Sequence, residues 1–397
     1  MALPPVPESR APVDICFVAH SSYGEMAGGK MGEVGGIQRQ QSFMARWLAA
    51  RGHHVSMLTW DEGQADEVVV DGVRVIKMCR RDQGIRGLRF FHPRWSSLVR
   101  AMRKADADVY YHNTSEYVTG QVASWCERTG REFVFSVAND WDCDPRVLSG
   151  RSIRERVLYV HGLRRASCII SQTLKQQRIL QEAFGLDSVV IPMPCPPVGS
   201  SGSARAERPK SIPPRILWVG RFVPAKRLEV LLDIADLAPD LAFDIAGTHD
   251  VEDEYSVDVM RRAERVSNVR LLGRVGRESM PGLYHGALCL CCTSGHEGFP
   301  NTFLEAWCQG VPLVTSFDPD HIVARLGLGF VAHDAVGLLE GIRRLLASEP
   351  EWLEVSERCR TYYWQHHTPD RVMPMFERVF VEHAQRRRER LGPTARH

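Results

Sequence analysis

Residues 287–305 read ALCLCCTSGHEGFPNTFLE, and three kinds of segment follow one another in them. Residues 287–292 are an unbroken apolar run of strand length. Gly295 and Gly298 then permit backbone angles and close ligand approaches that a Cβ would obstruct. Pro300 suits the first turn of a helix, where a missing N–H goes unnoticed. The stretch predicts a strand, a glycine turn at its carboxyl end, and a helix over 300–309.

Working outward, the same alternation recurs on both sides. Strand-like runs lie at 215–221, 241–246, 269–272, 311–316 and 330–332, with helical spacing at 227–237, 252–266, 278–285 and 335–347. From about 349 to 391 the pattern stays helical. Towards the N-terminus, strands are predicted at 14–20, 54–60, 108–112, 132–138, 168–171 and 189–191, and a helix over 37–51. Residues 68–78 carry Asp71-Gly72 between two β-branched runs, which signals a hairpin. Strands alternating with helices imply mostly parallel sheets covered on both faces. The expected fold class is α/β, with two Rossmann-like, doubly wound domains. The first spans 13–195 and the second 215–370. Residues 196–214 have the Pro, Gly and Ser content of a linker, and 1–12 read as a loose Pro-rich tail. Ligands of open α/β sheets bind outside the carboxyl ends of the strands, so two such domains facing each other would share a cleft.

Composition narrows the function classes. The chain has 397 residues, 44% apolar and 25% charged, with a net charge of +2. That is an ordinary globular balance and argues against a dedicated nucleic-acid binder. Eleven cysteines sit mostly inside apolar runs. Cys289 and Cys292 form one CxxC within a strand, with no second pair to complete a zinc site. Buried, reduced thiols in a cytoplasmic protein are expected, as are neither a signal peptide nor a transmembrane helix. Residues 327–332 match GxGxxA, but a helix precedes them and a strand follows, the reverse of a dinucleotide fingerprint. Residues 80–104 carry eight Lys/Arg against one Asp, with Phe90, Phe91 and Trp95 interleaved. That suits peripheral contact with an anionic membrane at its inner face, or a lipid-diphosphate acceptor; a solvated basic loop and helix would read the same.

Two segments carry chemistry. In 219–227 (VGRFVPAKR) a strand ends at Gly220 and a helix is expected near Lys226. Arg221 and Lys226 thus lie at a strand's carboxyl end beside a helix N-terminus, where a diphosphate fits; two idle surface charges are the alternative. In 297–305, Glu297 and Glu305 are eight residues apart. The backbone N–H groups around 299–302 can receive phosphate oxygens, and Glu305 can accept hydrogen bonds from ribose hydroxyls. The alternative is a capped helix with two solvated acids.

The second half resembles the retaining glycosyltransferases of family 4, which have the GT-B fold. The matching residues are GRFVPAKR (220–227), NVRLLGRV (268–275), CLCCTS (289–294), the E-x7-E segment EGFPNTFLE (297–305), AWCQGVPLVTS (306–316) and GFVAH (329–333). The resemblance spans nearly all of 14–380 and is strongest over 215–316. It implies transfer of a hexose, with retention, from a UDP- or GDP-sugar to a hydroxyl of a saccharide or lipid-linked glycan. Arg221 and Lys226 would hold the diphosphate and stabilise the leaving group, so that neither a metal nor a cofactor is required. Glu305 would bind the ribose and Glu297 the transferred sugar, not as a covalent nucleophile. Gly298, Phe299, Asn301 and Thr302 would contact phosphate and sugar. Gly35 and Gly36 resemble the family's Gly-Gly pair opening the first helix, near diphosphate and acceptor. The last helix, 371–391, would cross back onto the first domain.

One departure stands out. Where many family members have a histidine after the strand at 132–138, this chain has Ala138 or Asn139, with Asp140 and Asp142 beyond. Asp140 is the candidate to take over that contact or to orient the acceptor, and Asn139 and His112 are candidates for the sugar or acceptor. A sugar-nucleotide epimerase and an inactive, sugar-nucleotide-binding partner subunit remain as alternatives.

Overall fold

The computed structural model describes residues 11–28, 35–145, 150–197 and 207–392. It divides into two compact units, Met1–Pro192 with Asp370–His397, and Met193–Pro369.

The first unit is built on eight strands: β1 Asp14–Val18, β2 His54–Thr59, β3 Glu67–Val70, β4 Val73–Lys77, β5 Val109–Asn113, β6 Glu132–Ser136, β7 Cys168–Ser171 and β8 Val189–Val190. Their order is β3-β4-β2-β1-β5-β6-β7-β8. Pairing is parallel except at β3–β4. There Asp71 (φ 49°) and Gly72 (φ 78°) form the two-residue turn, both in the left-handed region that such hairpins demand. Every residue of β5 and β6 is buried, as in strands covered on both faces. Alternate residues feed two cores: Ile15 and Phe17 face one, Cys16 and Val18 the other. Because β1 lies between β2 and β5, the winding reverses there, and the β1/β5 carboxyl ends form the switch point where ligands sit.

The helix Pro369–Leu391 completes this unit. Phe380 packs edge-on against Tyr111, with ring centroids 5.6 Å apart. Buried acids are matched by bases across the contact: Glu377 with His53 at 3.0 Å, Glu132 with His383 at 3.2 Å and Asp108 with Arg388 at 2.6 Å. The helical pattern over 349–391 comprises two helices, Glu349–His366 and Pro369–Leu391. Proline at 369 disfavours helical angles in the residue before it. His367 (φ −127°, ψ −2°) ends the first helix and bonds the Met193 carbonyl at 2.9 Å.

In the second unit six parallel strands follow: β9 Arg215–Val219, β10 Ala242–Ala246, β11 Val269–Gly273, β12 Cys289–Cys292, β13 Leu313–Thr315 and β14 Gly329–Val331. Their order, β11-β10-β9-β12-β13-β14, puts the switch point between β9 and β12. Trp218, Phe243, Phe303 and Trp307 anchor its core. The ends of β9 and β10 touch: a Cβ on Gly247 would lie 1.8 Å from the Gly220 carbonyl oxygen, so only glycine fits.

Contacts flank and enter the expected linker, 196–214. Tyr363 Oη donates to the Cys195 carbonyl at 2.7 Å, and Arg208 to the Leu346 carbonyl at 2.8 Å, so both ends are tied to the second unit. Residues 198–206 of it lie outside the described residues, as does most of the expected tail. The described cysteines are free thiols, all buried except the half-buried Cys168.

Candidate active site

In the second unit, both sequence segments arrive at the switch point. Residues 220–226 continue from β9 and residues 293–300 from the adjacent β12. The two loops are stitched together. Trp218 Nε1 donates to Thr293 Oγ1 at 3.1 Å, Thr293 Oγ1 donates to the Lys226 carbonyl at 2.7 Å, and Gly295 N donates to the Ala225 carbonyl at 3.0 Å. Thr293 is fully buried, so this hydroxyl relay fixes the height at which Lys226 leaves the sheet. Lys226 Nζ pairs with Glu297 Oε1, both side chains being largely shielded.

The expected helix near Lys226 begins slightly later. Pro224–Lys226 form a 3-10 turn, and Arg227 (φ 49°) caps the helix Leu228–Leu237. Lys226 therefore stands in front of the helix rather than in its first turn. Arg221 is exposed at the same strand end.

The second helix runs Asn301–Cys308, with Pro300 as N-cap rather than as first helical residue. Asn301 and Thr302 form its first turn and are half-buried; Gly298 is buried. Glu305 accepts from Tyr284 Oη at 2.7 Å, a hydroxyl that fixes the carboxylate's direction. Of the backbone and side-chain contacts expected at Phe299, the side chain is turned away. Its ring is buried against His367 (5.0 Å) and Trp307 (6.1 Å), so its side chain belongs to the core and only its backbone is left for a ligand.

In the first unit the switch point carries a pocket of about 530 Å³, lined among others by His20, Gln38, Trp60, Arg94, His112 and Arg151. The helix Gly36–Ala50 opens beside it, with Gly35 as an extended N-cap, so the Gly35-Gly36 pair does begin a helix. His112 Nδ1 lies 2.8 Å from the Val18 carbonyl. A carbonyl only accepts, so Nδ1 carries the proton and Nε2 is a bare acceptor. That atom is buried and unpartnered, as is His20 Nε2. Burial pushes His112 down to about 4. Burial, with the charges of His112 and Arg94, pushes His20 down to about 3. Both rings are neutral at physiological pH, His20 lying against Trp60 at 4.3 Å.

Asp140 and Asn139 are committed elsewhere. Asp140 receives Lys175 Nζ at 2.6 Å and Gln176 Nε2 at 3.1 Å, and it does not line the pocket. Asn139 caps the turn Asp140–Asp142 through its side chain. Asp142 stands behind Ser115 of the pocket wall, which Glu116 and Glu155 also line. Asp142 accepts from Ser115 Oγ and from the Ala138 and Asn139 amides at 2.9 and 3.1 Å, and burial raises its pKa.

Comparison with known proteins follows this geometry. The model of group 1 glycosyl transferases matches residues 203–363, and that of glycosyl transferase 4-like domains matches residues 35–196. The chain belongs to the family 4-like glycosyltransferases of the GT-B fold. The transferase is 26% identical over 168 residues to an O-antigen chain mannosyltransferase B of Escherichia coli, covering 39% of this chain and 44% of that protein. It is 27% identical over 149 residues to a glycogen synthase of Mycobacterium tuberculosis, covering 36% of each. It thus spans less than half the length of these curated relatives. A sucrose-phosphate synthase from Thermosynechococcus elongatus shares the fold with a TM-score of 0.75 at 19% identity, over 94% of this chain and 99% of that one.

Sequence reasoning placed the transferase's second-unit residues together but missed Thr293, Tyr284, His20 and Arg94. Thr293 and Tyr284 act through side chains that only packing aims. His20 follows β1 as His112 ends β5, and two polar residues at neighbouring strand ends were the available signal. Among the described residues no cluster of three His, Cys, Asp or Glu could hold a metal ion, and no helix is long and apolar enough to cross a membrane.

Proposed function

We propose that the chain transfers a hexose, with retention, from a UDP- or GDP-sugar to an acceptor hydroxyl of a saccharide or lipid-linked glycan. The observation that carries this is the meeting of two cations and two carboxylates at the β9/β12 switch point of the second unit.

Arg221 and Lys226 neutralise the diphosphate, and the amides of the first turn at Asn301 and Thr302 add oriented dipoles. No resident metal is needed for that charge. Glu305, aimed by Tyr284, accepts from the ribose. Glu297 accepts from hydroxyls of the transferred sugar. The bond from the anomeric carbon to phosphate oxygen breaks, and the acceptor oxygen bonds that carbon from the same face. The acceptor's proton passes to the departing phosphate oxygen. Gly35 and Gly36 give the first unit a helix start whose backbone N–H groups can receive a phosphate oxygen. The first unit's pocket takes the acceptor, with His112 Nε2 receiving a hydroxyl. Asp140 and Asn139 order the segment behind it instead of touching substrate.

The segment 80–104 supports peripheral contact with anionic membrane. Ile85, Leu88 and Phe91 are 73, 62 and 59% exposed beside Arg80, Arg86 and Arg89. Sedimentation with phosphatidylglycerol vesicles, but not phosphatidylcholine vesicles, is the expected result; equal recovery in both would remove the proposal.

A thermal-shift screen of nucleotide sugars, followed by turnover, tests the reaction. Release of nucleoside diphosphate that depends on acceptor supports transfer. An altered free donor would mean epimerisation, and binding without turnover an inactive partner.

A further inference from the structure

We infer that the acceptor entering the first unit's pocket carries an anionic group beside its reacting sugar, and that Arg94 reads that group. The term acceptor rests on the transfer reading above; the binding itself does not.

The pocket wall carries Arg81, Arg94 and Arg151 together with Glu116 and Glu155. Arg94 donates to the Arg81 carbonyl at 2.6 Å and to Tyr117 Oη at 3.4 Å. Its Nε is buried with no partner, and among the described residues no carboxylate pairs with it. A buried guanidinium N–H without a partner is costly, and an anion from solution offsets the cost. The pocket's other charges, Arg81 and Glu116 included, are already engaged. Arg151 donates to Ser115 Oγ at 2.7 Å, and Ser115 donates in turn to Asp142, so Arg151 is compensated through one hydroxyl. Glu155 accepts from Ser152 N and Oγ at 3.3 and 2.8 Å as part of a helix cap. Nor can the histidines supply an anion-binding charge, because both are neutral.

The remaining lining reads a sugar. His112 Nε2 is a buried lone pair aimed where only a donor satisfies it, and a hydroxyl is such a donor. Trp60 offers an aromatic face beside His20. An unpartnered acceptor at His112, an unpartnered ring nitrogen at His20 and an unpartnered guanidinium N–H at Arg94 in one pocket describe a hydroxylated ring bearing a carboxylate or phosphate. An acidic sugar and a sugar phosphate share that chemistry.

Calorimetric titration of the full chain, without donor, tests this. The probes are glucose, glucuronate, glucose 6-phosphate and inorganic phosphate. At least one anionic sugar should bind about tenfold more tightly than glucose, the worth of one charge-assisted contact. Whichever anionic sugar binds more tightly identifies the anion. Arg94→Gln should bring that ligand to near parity with glucose, while nucleoside diphosphate still binds the second unit. That nucleotide control separates failure of this inference from failure of the transfer reading. Glucose binding as tightly as both anionic sugars on the wild-type chain would overturn the inference, whatever the fate of the variant. So would no sugar binding at all, inorganic phosphate matching glucose 6-phosphate, or an unchanged preference in a folded Arg94→Gln chain.

Discussion

Lys226 and Glu297 form an ion pair across 71 residues of sequence, joining the loop after β9 to the loop after β12. One proposed diphosphate ligand is thus held in place by the residue proposed to touch the sugar. When donor binds, phosphate oxygens compete with Glu297 for Lys226. The pair positions the lysine beforehand and frees the carboxylate on arrival.

The competition gives opposite signs for two substitutions. Lys226→Ala should weaken nucleoside diphosphate binding by about 10- to 100-fold, the range of hydrogen bonds to charged groups. Glu297→Gln removes the competitor, so nucleoside diphosphate should bind as well as to wild type or better. Turnover should nevertheless fall by about a hundredfold or more. Calorimetry paired with a turnover assay checks both, and equal losses of binding would contradict the account.

Tyr284 acts through Glu305. Tyr284→Phe removes the hydroxyl that donates at 2.7 Å. Nucleoside diphosphate affinity should drop by about 3- to 10-fold, because the hydroxyl acts on the ligand only through the aim of the carboxylate. A 2′-deoxyribose nucleotide should lose less in the variant than in wild type, because the carboxylate is then poorly aimed for either sugar.

Gly247→Ala places a methyl 1.8 Å from the Gly220 carbonyl oxygen. The strand ends must separate, at a cost of about 3 kcal/mol, the upper part of the usual range. Because Gly220 precedes Arg221, donor affinity should fall with Tm. An unchanged Tm would show that the two strand ends are not packed so closely.

Three buried histidines set an acid limit. Burial lowers His20 to about 3, and His112 and His367 to about 4, each from 6.5. The unfolded chain therefore takes up protons below pH 6.5 that the folded chain refuses. Their share of stability is complete above 6.5 and is lost as pH falls towards 4, by up to about 1.4 kcal/mol per pH unit for each ring. Urea midpoints at pH 8, 6.5 and 5 should show a plateau and then a fall, shallower in His367→Gln. A flat profile would contradict it.

The α/β architecture was legible because its signals are local. Strand runs at 168–171 and a helix at 335–347 follow from periodicity, and Asp71-Gly72 from turn chemistry. The candidate donor site was legible because Arg221, Lys226, Glu297 and Glu305 lie in two short segments at adjacent strand ends. What escaped depended on packing. No spacing shows that Asp140 meets Lys175 or that the Phe299 ring turns into the core against His367. Nor does spacing show that Arg94, on an irregular helical turn, reaches the end of β1.

The central claim is that the second unit's switch point holds a nucleotide-diphosphate sugar. The most direct measurement is calorimetric titration of UDP and GDP into the wild-type chain, Lys226→Ala and Glu305→Ala. The account predicts that one nucleotide binds the wild type and that each substitution weakens it by about tenfold or more. Wild-type affinity retained in both folded variants would contradict it.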